Sequence, residues 1–340
     1  MAKPVRMADI AQRLQISVVS VSKALAGKPG VSEEMRARVV ALAQEMGYEA
    51  AKSRPEPAGT GNLGVLVPSR FFAENAFYTS LYRSLLLRSA DAGFGCMLEI
   101  VSPEAERDGL LPALVTGRKV DGVIFMGNTR EEYLRAVSAS GLPCLLLDFR
   151  MPGGEFDCVA SDNLEGGIAL TRHLLEGGRR RIGFVGSIRS TSSIMDRYLG
   201  YQCALREAGI VPREAWLLED RDENGEFIPL KLPAELPDAF LCSCDEVAYN
   251  LVNQLRAAGF EVPRDLAVCG YDDYRFSTLC QPPLTSYRVN VDLMAEMAVS
   301  RLDAALRRQP AAAVYCIVPG RLIVRGSTAP ASGAAALPAL

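Results

Sequence analysis

The sequence is poor in histidine and has no long apolar run, and each absence excludes a class of protein. His173 is the only histidine in the 340 residues, and it lacks the neighbouring ligands that a zinc site needs. We therefore expect no metal site, no cofactor and no Ser-His-Asp catalytic set. No stretch reaches the roughly eighteen apolar residues of a membrane span. The segment MAKPVRMADIAQR also lacks the apolar core of a signal peptide, so we expect a cytoplasmic protein with no membrane partner.

Nine cysteines are scattered along the chain, and most lie in apolar runs such as PCLLLDF and LAVCGYDD. This placement is typical of reduced, buried thiols. Cys242 and Cys244 form a CxC pair that leaves a metal or redox role open, but no second group of ligands accompanies it. We therefore interpret most of the cysteines as core residues.

Charge is unevenly distributed between the two ends of the chain. The net charge is −3, yet the first 54 residues contain nine Lys or Arg and only five Asp or Glu. A basic head on an acidic body indicates that the head meets a negatively charged partner.

The head contains three short helical patterns. In MADIAQRL, apolar residues recur at the spacing of one helix face. Ser17 stands at an N-cap position for a second helix, and Ser32 stands at one for a third, which ends near Gly47. A Pro- and Gly-containing segment then breaks all periodicity and reads as a linker.

The second helix has an unusual outer face. If Ile10 and Ala11 pack against Val21 and Leu25, the residues that face outward are Val18, Val19, Ser22, Lys23 and Ala26. Small and basic residues on a short helix held across another fit the major groove of DNA, where valine can contact thymine methyl groups. The alternative is a plain helical bundle, which would bury the two valines.

From Leu63 onward, strands and helices alternate. The predicted helices lie at 78–92, 165–176, 194–208 and 245–258, between near-continuous apolar runs such as VDGVIFMG and LAVCGYDD. Alternation of this kind predicts parallel sheets covered on both faces. The number of strands favours two doubly wound lobes that change over near residues 157–163. A ligand would bind in the cleft between the lobes, beyond the carboxyl ends of the strands.

Three motifs in order carry a resemblance to a known family. The segment VRMADIAQRLQISVVSVSKALAGKPGVSEEMRARVVALAQEMGY resembles the helix-turn-helix of LacI/GalR-family transcription regulators. The segments VASDNLEGGIALTRHLLEGGRRRIGFVGS and VPRDLAVCGYDD, with PPLTSYRVN after them, resemble the family's periplasmic-binding-protein-like core. The resemblance spans nearly the whole chain. It implies a homodimer that binds a palindromic double-stranded DNA operator, with repression as the family's more common mode.

The resemblance also assigns residues to DNA binding. Val18, Val19 and Lys23 match the family's base-reading positions. Its phosphate-contacting positions are matched by Ser17, Ser22, Ser32 and Tyr48. The predicted DNA-binding set also includes Arg6, Ser20 and Ala26. We expect thymine at the steps that the valines meet and a guanine near Lys23.

The effector-binding residues follow in the same way. The resemblance places Asn75, Phe77, Asp148, Arg197, Cys244 and Asp272 at the cleft. Cys244 stands where many relatives have asparagine, so a weak hydrogen-bonding group replaces a strong one. Phe227 is a candidate aromatic wall, in a region at 220–236 that the resemblance does not align. By analogy the effector is a sugar or a sugar-like metabolite.

Two features depart from the family pattern. Leu14-Gln15 stands in the helix-turn-helix break where relatives have a small residue and glycine, which predicts an altered turn. Pro55 and Pro57 stand where relatives form a hinge helix on DNA. Since proline within a helix costs about 3 kcal/mol, we expect no such helix here.

The expected organisation has four parts. They are a helix-turn-helix domain at 1–48, a hinge linker at 49–62, an effector-binding and dimerisation core at 63–328, and a disordered tail at 329–340. Within the core we assign about 63–157 and 290–318 to the N-lobe, and about 158–289 and 319–328 to the C-lobe. The alternative functions are a sugar-binding protein without regulatory DNA binding, a regulator that needs a co-repressor, and an enzyme on an α/β fold.

Overall fold

The structure, a computed structural model, describes residues 5, 7–25, 30–46, 59–72, 76–151, 153–307 and 313–329. It divides into two compact units, with the division between Ala58 and Gly59. The two prolines of the expected hinge and most of the predicted tail lie outside the described residues. Among the helices that the structure describes, none combines the length and the apolar character required to span a bilayer.

The first unit contains three helices: α1 (Met7–Leu14), α2 (Val18–Leu25) and α3 (Glu33–Glu45). Their shared core is small and apolar, with Ile10, Ala11, Val21, Ala24, Val39 and Ala43 all buried. Leu25 is partly buried and packs against this core next to the buried Ala24. The packing predicted from the spacing of apolar residues is therefore confirmed.

Both predicted N-caps form. Ser17 Oγ accepts a hydrogen bond from the Ser20 backbone N–H at 3.0 Å, at the start of α2. Ser32 Oγ accepts one from the Met35 backbone N–H at 3.3 Å, at the start of α3. Each cap satisfies one of the amide donors that a helix leaves unpaired at its first turn.

The break between α1 and α2 is closed by a residue in the left-handed region. Gln15 has φ 54°, and the Ile16 backbone N–H donates to the Ala11 carbonyl at 3.1 Å. This six-to-one hydrogen bond is the helix ending that usually places glycine at the left-handed position. Glutamine thus adopts here the conformation that glycine favours, and the altered turn stays a prediction.

The second unit contains two parallel sheets. The first has six strands: β1 (Asn62–Pro68), β2 (Gly95–Val101), β3 (Gly122–Met126), β4 (Cys144–Leu147), β5 (Asp157–Ser161) and β11 (Tyr315–Val318). Their order is β11-β5-β4-β3-β1-β2, and every pairing is parallel. The described helices that follow these strands are α4 (Ala76–Asp91), α5 (Pro103–Asp108), α6 (Ala113–Thr116) and α7 (Glu131–Ser138). We call this part the N-lobe.

The second sheet is smaller. It contains β6 (Ile182–Val185), β7 (Leu217–Leu218), β8 (Ala239–Cys242) and β9 (Ala267–Cys269), in the order β7-β6-β8-β9. The helices of this part, which we call the C-lobe, are α8 (Asn163–Glu176), α9 (Ser192–Glu207), α10 (Asp245–Ala257) and α11 (Arg275–Leu279). The sequence thus predicted the two doubly wound lobes.

Two expected boundaries need correction. The C-lobe is predicted to begin at about 158, but β5 pairs with β4 in the N-lobe sheet. The chain therefore crosses after Ser161, which still lies within the predicted change-over at 157–163. The linker was expected to reach 62, but Asn62 begins β1. Asp121 accepts hydrogen bonds from the backbone N–H groups of Thr60 and Gly61, both at 2.7 Å, and this fixes the segment to the N-lobe.

The chain passes between the lobes at two further places near its end. β10 (Ser286–Arg288) and β12 (Arg321–Ile323) pair in antiparallel fashion. Between them in sequence lie α12 (Val291–Leu306), which packs on α4, and β11. Single bridges between Cys269 and Thr285 and between Asp272 and Arg288 attach the β10 segment beside the end of β9.

Helices α8 and α9 approach unusually closely because glycines face each other. A Cβ built on Gly200 would lie 2.2 Å from the Leu164 carbonyl oxygen, and one built on Gly167 would lie 2.2 Å from the Arg197 carbonyl oxygen. Neither position tolerates a side chain without a shift of backbone. The position of α9 on α8 is therefore set by these two glycines.

Replacing Gln15 by glycine should stabilise the first unit. The left-handed conformation costs a non-glycine residue roughly 1–2 kcal/mol, and the greater unfolded-state entropy of glycine offsets about 0.4–1 kcal/mol of that. Hydrogen exchange of α1 and α2 amides in the full chain should therefore slow in Gln15→Gly. Gln12→Gly, within α1, is the control and should speed exchange. Faster exchange in both variants would contradict the argument.

Replacing Gly200 by alanine should destabilise the core unit by about 1–3 kcal/mol, the usual cost of overpacking. Gly177→Ala is the matched control, because a Cβ there would lie 3.4 Å from its nearest neighbour, an ordinary contact. Denaturant unfolding of both variants measures the difference. Equal losses of stability in the two variants would show that the close approach of α8 and α9 is not the reason why alanine at position 200 is destabilising.

Candidate functional sites

The outer face of α2 is exposed as the sequence predicted. Val18 is 46% exposed and Val19 is 63% exposed, although both are apolar. Ser22 and Lys23 on the same helix are exposed too. Exposed valines beside a serine and a lysine form a surface that combines methyl groups, a hydroxyl and a positive charge. Such a surface matches the mixed donor, acceptor and methyl pattern of the major groove.

The remaining predicted DNA-binding residues divide into two groups. Ser17 and Ser20 start α2, with their hydroxyl oxygens 2.9 Å apart, and Ser32 caps α3 at an exposed position. Arg6, Ala26 and Tyr48 lie outside the described residues, as does Asn75 of the predicted effector site.

In the second unit, a cavity of about 60 Å³ lies between the lobes. The N-lobe contributes Arg70, Phe71, Phe77, Tyr78 and Asp148. The C-lobe side includes Ser193, Arg197, Arg221, Gly225, Phe227, Cys244 and Asp272. The five described effector-site residues predicted from the sequence are therefore brought together. Asp148 and Asp272 follow β4 and β9, so the cavity lies beyond the carboxyl ends of both sheets, where ligands of such folds bind.

Arg197 is a buried guanidinium held on several sides. Its Nε donates to Asn163 Oδ1 at 2.8 Å, and an Nη1 hydrogen bond goes to the Ser243 carbonyl oxygen. Nη2 lies 3.4 Å from Asp272 Oδ1, and the guanidinium carbon lies 3.7 Å from the centre of the Tyr271 ring. A planar group fixed in this way presents its donors in one orientation to whatever enters the cavity.

Asp272 completes this arrangement from a strained turn. Its φ is 96°, and its backbone N–H donates to the Tyr287 carbonyl oxygen at 2.9 Å. Burial raises the pKa of its carboxyl group, while the nearby Arg197 acts in the opposite direction. A non-glycine residue in this region of φ is costly, and such strain is commonly found at ligand sites.

Asp148 has an unsatisfied oxygen in the cavity wall. Its Oδ2 accepts a hydrogen bond from the Tyr78 hydroxyl at 2.8 Å, whereas its buried Oδ1 has no hydrogen-bond partner among the described residues. Burial raises the pKa of Asp148 to about 6. Because a buried acceptor without a donor is costly, Oδ1 is suited to accept a hydrogen bond from a ligand.

Cys244 lines the same cavity as a neutral thiol. It is buried, and its Sγ lies 3.9 Å from Arg221 Nη2. Burial raises the pKa of the thiol to about 12, so the group is protonated and unreactive as a nucleophile near neutral pH. Among the described residues no group of three or more His, Cys, Asp or Glu could hold a metal ion.

The position of several residues in the cavity wall was not predicted from the sequence. Tyr78, which binds Asp148, lies in a helix pattern that gave no sign of a buried hydroxyl. Arg221 and Phe227 occupy a turn-rich stretch, DRDENGEF, without an apolar period. Phe227 was only a candidate from the sequence, and the structure places it in the cavity wall, with the Arg221 guanidinium 4.6 Å from its ring centre. The acidic and glycine-containing turn between them was the available signal.

A wider cleft lies beside this cavity. It has a volume of about 480 Å³ and shares Phe77 and Asp272 with the smaller cavity. Arg288 and Asp292, from the segments where the chain passes between the lobes, also line it. The space between the lobes therefore consists of a narrow cavity and a larger cleft that share two lining residues.

Two family models match the chain. The model described as bacterial regulatory proteins, lacI family, matches residues 6–50, and the one described as periplasmic binding protein-like domain matches residues 171–328. The first match covers the three helices of the N-terminal unit. The second covers most of the C-lobe together with α12 and the paired segments between the lobes.

Characterised relatives match over nearly their full lengths. Catabolite control protein A of Priestia megaterium is 26% identical, over 94% of this chain and 98% of the relative. The regulator MalR of Streptomyces coelicolor is 28% identical, over 96% and 98%. Among solved structures, a complex of the transcriptional regulator CelR with cellobiose is 25% identical, with a TM-score of 0.70 over 95% of this chain and 99% of that one. All three are regulators, which removes the enzyme alternative.

Replacing Asp148 by asparagine should change how stability depends on pH. The raised native pKa of about 6 lies above the usual unfolded value of about 3.9, so folding takes up a proton between these values. Protonation therefore stabilises the wild type at low pH, and that contribution is lost as the pH rises through about 6. Asp148→Asn should be the more stable protein at pH 7, by up to about 3 kcal/mol. The advantage should shrink toward pH 4, as measured by denaturant unfolding. If the stability advantage of Asp148→Asn did not change with pH, it would not come from the raised pKa of Asp148.

Proposed function

Because the chain belongs to the LacI family of bacterial regulatory proteins, we propose that this DNA-binding transcription regulator is a homodimeric repressor controlled by a small metabolite. It binds a palindromic operator in the cytoplasm through the exposed face of α2. The observation that carries the proposal is the exposure of Val18 and Val19 beside Lys23 on a basic head domain. An apolar pair is otherwise costly to leave in water.

The proposed reading of DNA follows from the chemistry of that face. The valine side chains contact thymine methyl groups, and Lys23 donates to guanine O6 or N7. The hydroxyls at the start of α2 and α3 reach phosphates, which position the helix without specifying the sequence. Each good base contact contributes about 1–3 kcal/mol of discrimination.

The charges of the cavity favour an uncharged, hydroxyl-rich effector. Each arginine that lines it is paired with a carboxylate: Arg70 with Glu106 at 2.6 Å, Arg221 with Asp220 at 2.8 Å, and Arg197 with Asp272 at 3.4 Å. Asp148 Oδ1 adds an acceptor to which no described residue donates. A phosphate or carboxylate would meet cations that are already neutralised, whereas a hydroxyl group supplies the missing donor. The cellobiose complex of a relative supports a sugar or a sugar-like compound.

Effector binding is coupled to the arrangement of the lobes. The cavity of about 60 Å³ is much smaller than the roughly 300–1,000 Å³ of typical ligand pockets. An effector that contacts Arg197 and Asp148 therefore either parts the lobes there or extends into the wider cleft of about 480 Å³. A ligand that binds one lobe arrangement more tightly shifts the population toward it by its differential affinity. In a dimer this shift changes the spacing of the two DNA-binding heads and hence the affinity for a palindrome.

The N-lobe offers a surface for the second copy. Leu86 and Leu87 on α4 are 39% and 57% exposed, and Ile100 on the edge strand β2 is 52% exposed. These two elements pack on each other. Exposed apolar side chains gathered on neighbouring elements are typical of protein interfaces, and a palindromic operator requires two heads.

Selection of bound sequences from random duplex DNA tests this function. The wild type should enrich a palindrome with thymine at the steps read by the valines. Val19→Gln should change the preferred base at one symmetric pair of positions, because an amide prefers adenine to a thymine methyl group. Val40→Gln is the control, since Val40 is a 39% exposed valine on α3 rather than α2, and it should leave the site unchanged.

Three other outcomes are informative. A palindrome enriched only when a metabolite extract is present would identify the metabolite as a co-repressor and keep the DNA-binding role. The same preference in wild type and Val19→Gln would remove α2 as the reading surface. No enriched site under either condition would overturn the proposed function.

A further inference from the structure

A short hairpin at the edge of the cavity holds its own shape. We call the segment Asp220–Ile228 the lid hairpin. Its ends are joined by a bridge between Arg221 and Phe227. Its backbone hydrogen bonds run from Asp222 N to Glu226 O at 2.9 Å, from Ile228 N to Asp220 O at 3.0 Å and from Gly225 N to Asp222 O at 3.1 Å. The Asp222 carboxylate also accepts from the Asn224 and Glu226 backbone N–H groups at 2.9 and 3.0 Å. The turn is therefore rigid without help from other segments.

The base of the lid hairpin is anchored in the C-lobe. Asp220 is buried, and its carboxylate accepts hydrogen bonds from the Ser187 backbone N–H at 2.7 Å and the Ser243 hydroxyl at 2.6 Å. The same carboxylate pairs with Arg221 at 2.8 Å. Since Ser187 follows β6 and Ser243 follows β8, the hairpin moves with the C-lobe sheet.

The tip of the lid hairpin reaches the N-lobe. A Cβ built on Gly225 would lie 3.1 Å from Cδ of Arg70. Arg70 is itself fixed, because Nη1 donates to Glu106 Oε2 at 2.6 Å and Nη2 donates to the Asn128 carbonyl oxygen at 2.7 Å. Glu106 is buried and also accepts from the Arg130 backbone N–H at 2.7 Å. A rigid tip from one lobe therefore meets a rigid side chain of the other.

We propose that the lid hairpin closes the interlobe cavity by seating its glycine tip on Arg70, and that this contact sets how far the lobes close. Gly225 and Arg70 both line the cavity, and Phe227 on the same hairpin forms part of the wall. A side chain at the tip would make this contact too tight, so that Arg70 or the hairpin would have to move by a few tenths of an ångström. The inference rests on the proposed function only in taking this cavity as the effector site.

Two glycine variants separate the contact from backbone strain. Gly225 has φ +85° and Gly259 has φ +87°, so alanine is strained equally at both positions. A Cβ on Gly259 meets nothing within 4 Å, whereas one on Gly225 meets Arg70. Gly225→Ala should hold the lobes apart, and Gly259→Ala should not.

Hydrogen exchange in the 340-residue chain measures the opening without ligand or DNA. The reporters are the segments 148–151 and 191–195, which are joined across the lobes by the hydrogen bond from Arg150 N to Ser192 Oγ and by that from Ser193 Oγ to the Asp148 carbonyl oxygen. We expect these segments to exchange about three to ten times faster in Gly225→Ala, and at the wild-type rate in Gly259→Ala. The radius of gyration from small-angle scattering should rise in the first variant only.

A second-site variant tests the identity of the contact. Arg70→Ala combined with Gly225→Ala removes the atom that the new Cβ meets, so exchange should return toward that of Arg70→Ala alone. The single Arg70→Ala variant is needed as reference because it removes the cation paired with the buried Glu106 carboxylate. The proposed role of the lid hairpin would be overturned by equal exchange rates in Gly225→Ala and Gly259→Ala. It would also be overturned if the double variant exchanged as fast as Gly225→Ala. Failure of operator selection would instead remove the proposed function, since these measurements use neither DNA nor effector.

Discussion

The core unit depends on one buried guanidinium, that of Arg197. It joins α9, which carries it, to Asn163 at the start of α8, to the Ser243 carbonyl after β8 and to Asp272 after β9. A cation without water is unfavourable unless it is paired and hydrogen-bonded, so these elements hold their positions together. The glycine contacts between α8 and α9 bring the arginine to that point. The C-lobe face of the cavity is therefore assembled as a unit around a single charge.

The two units place their functional groups in opposite surroundings, apolar groups in water in the head and a polar group in a buried site in the core. In the head, apolar side chains stand in water on α2, where burial would be favourable. In the core, the polar Asp148 lies where water is excluded, and one of its oxygens lacks a partner among the described residues. Each arrangement leaves an interaction that a partner can complete, methyl groups in the first case and a hydrogen-bond donor in the second.

The sequence predicts the structure correctly where a local pattern decides it. The long apolar runs gave β1, β3 and β4, whose residues are almost all buried, and serine caps gave the starts of α2 and α3. It could not assign β5 to a sheet, because the short run DCVAS is compatible with pairing in either lobe. Gln15 shows the same limit in the head, since only the surrounding turn forces a glutamine into the left-handed region.

The site was predictable residue by residue but not as a cavity. Arg197 and Asp272 could be found by resemblance, whereas the lid hairpin could not be predicted because its role depends on Arg70, 155 residues earlier in the chain.

The pairing of β10 with β12 has a consequence for how the lobes move. The chain passes between the lobes three times, and the pairing of β10 with β12 joins two of these passages into one antiparallel ribbon. A β-bridge between Arg288 and Asp272 attaches this ribbon to the C-lobe. The chain enters the N-lobe through Val289–Asn290 and leaves it through Pro319–Gly320. Both stretches are held beside the ribbon, by a hydrogen bond from the Val289 backbone N–H to the Asp272 carbonyl oxygen at 3.4 Å and by one from the Gly320 backbone N–H to the Tyr287 hydroxyl at 3.2 Å. The lobes are expected to turn about a fixed axis as rigid bodies rather than slide past each other.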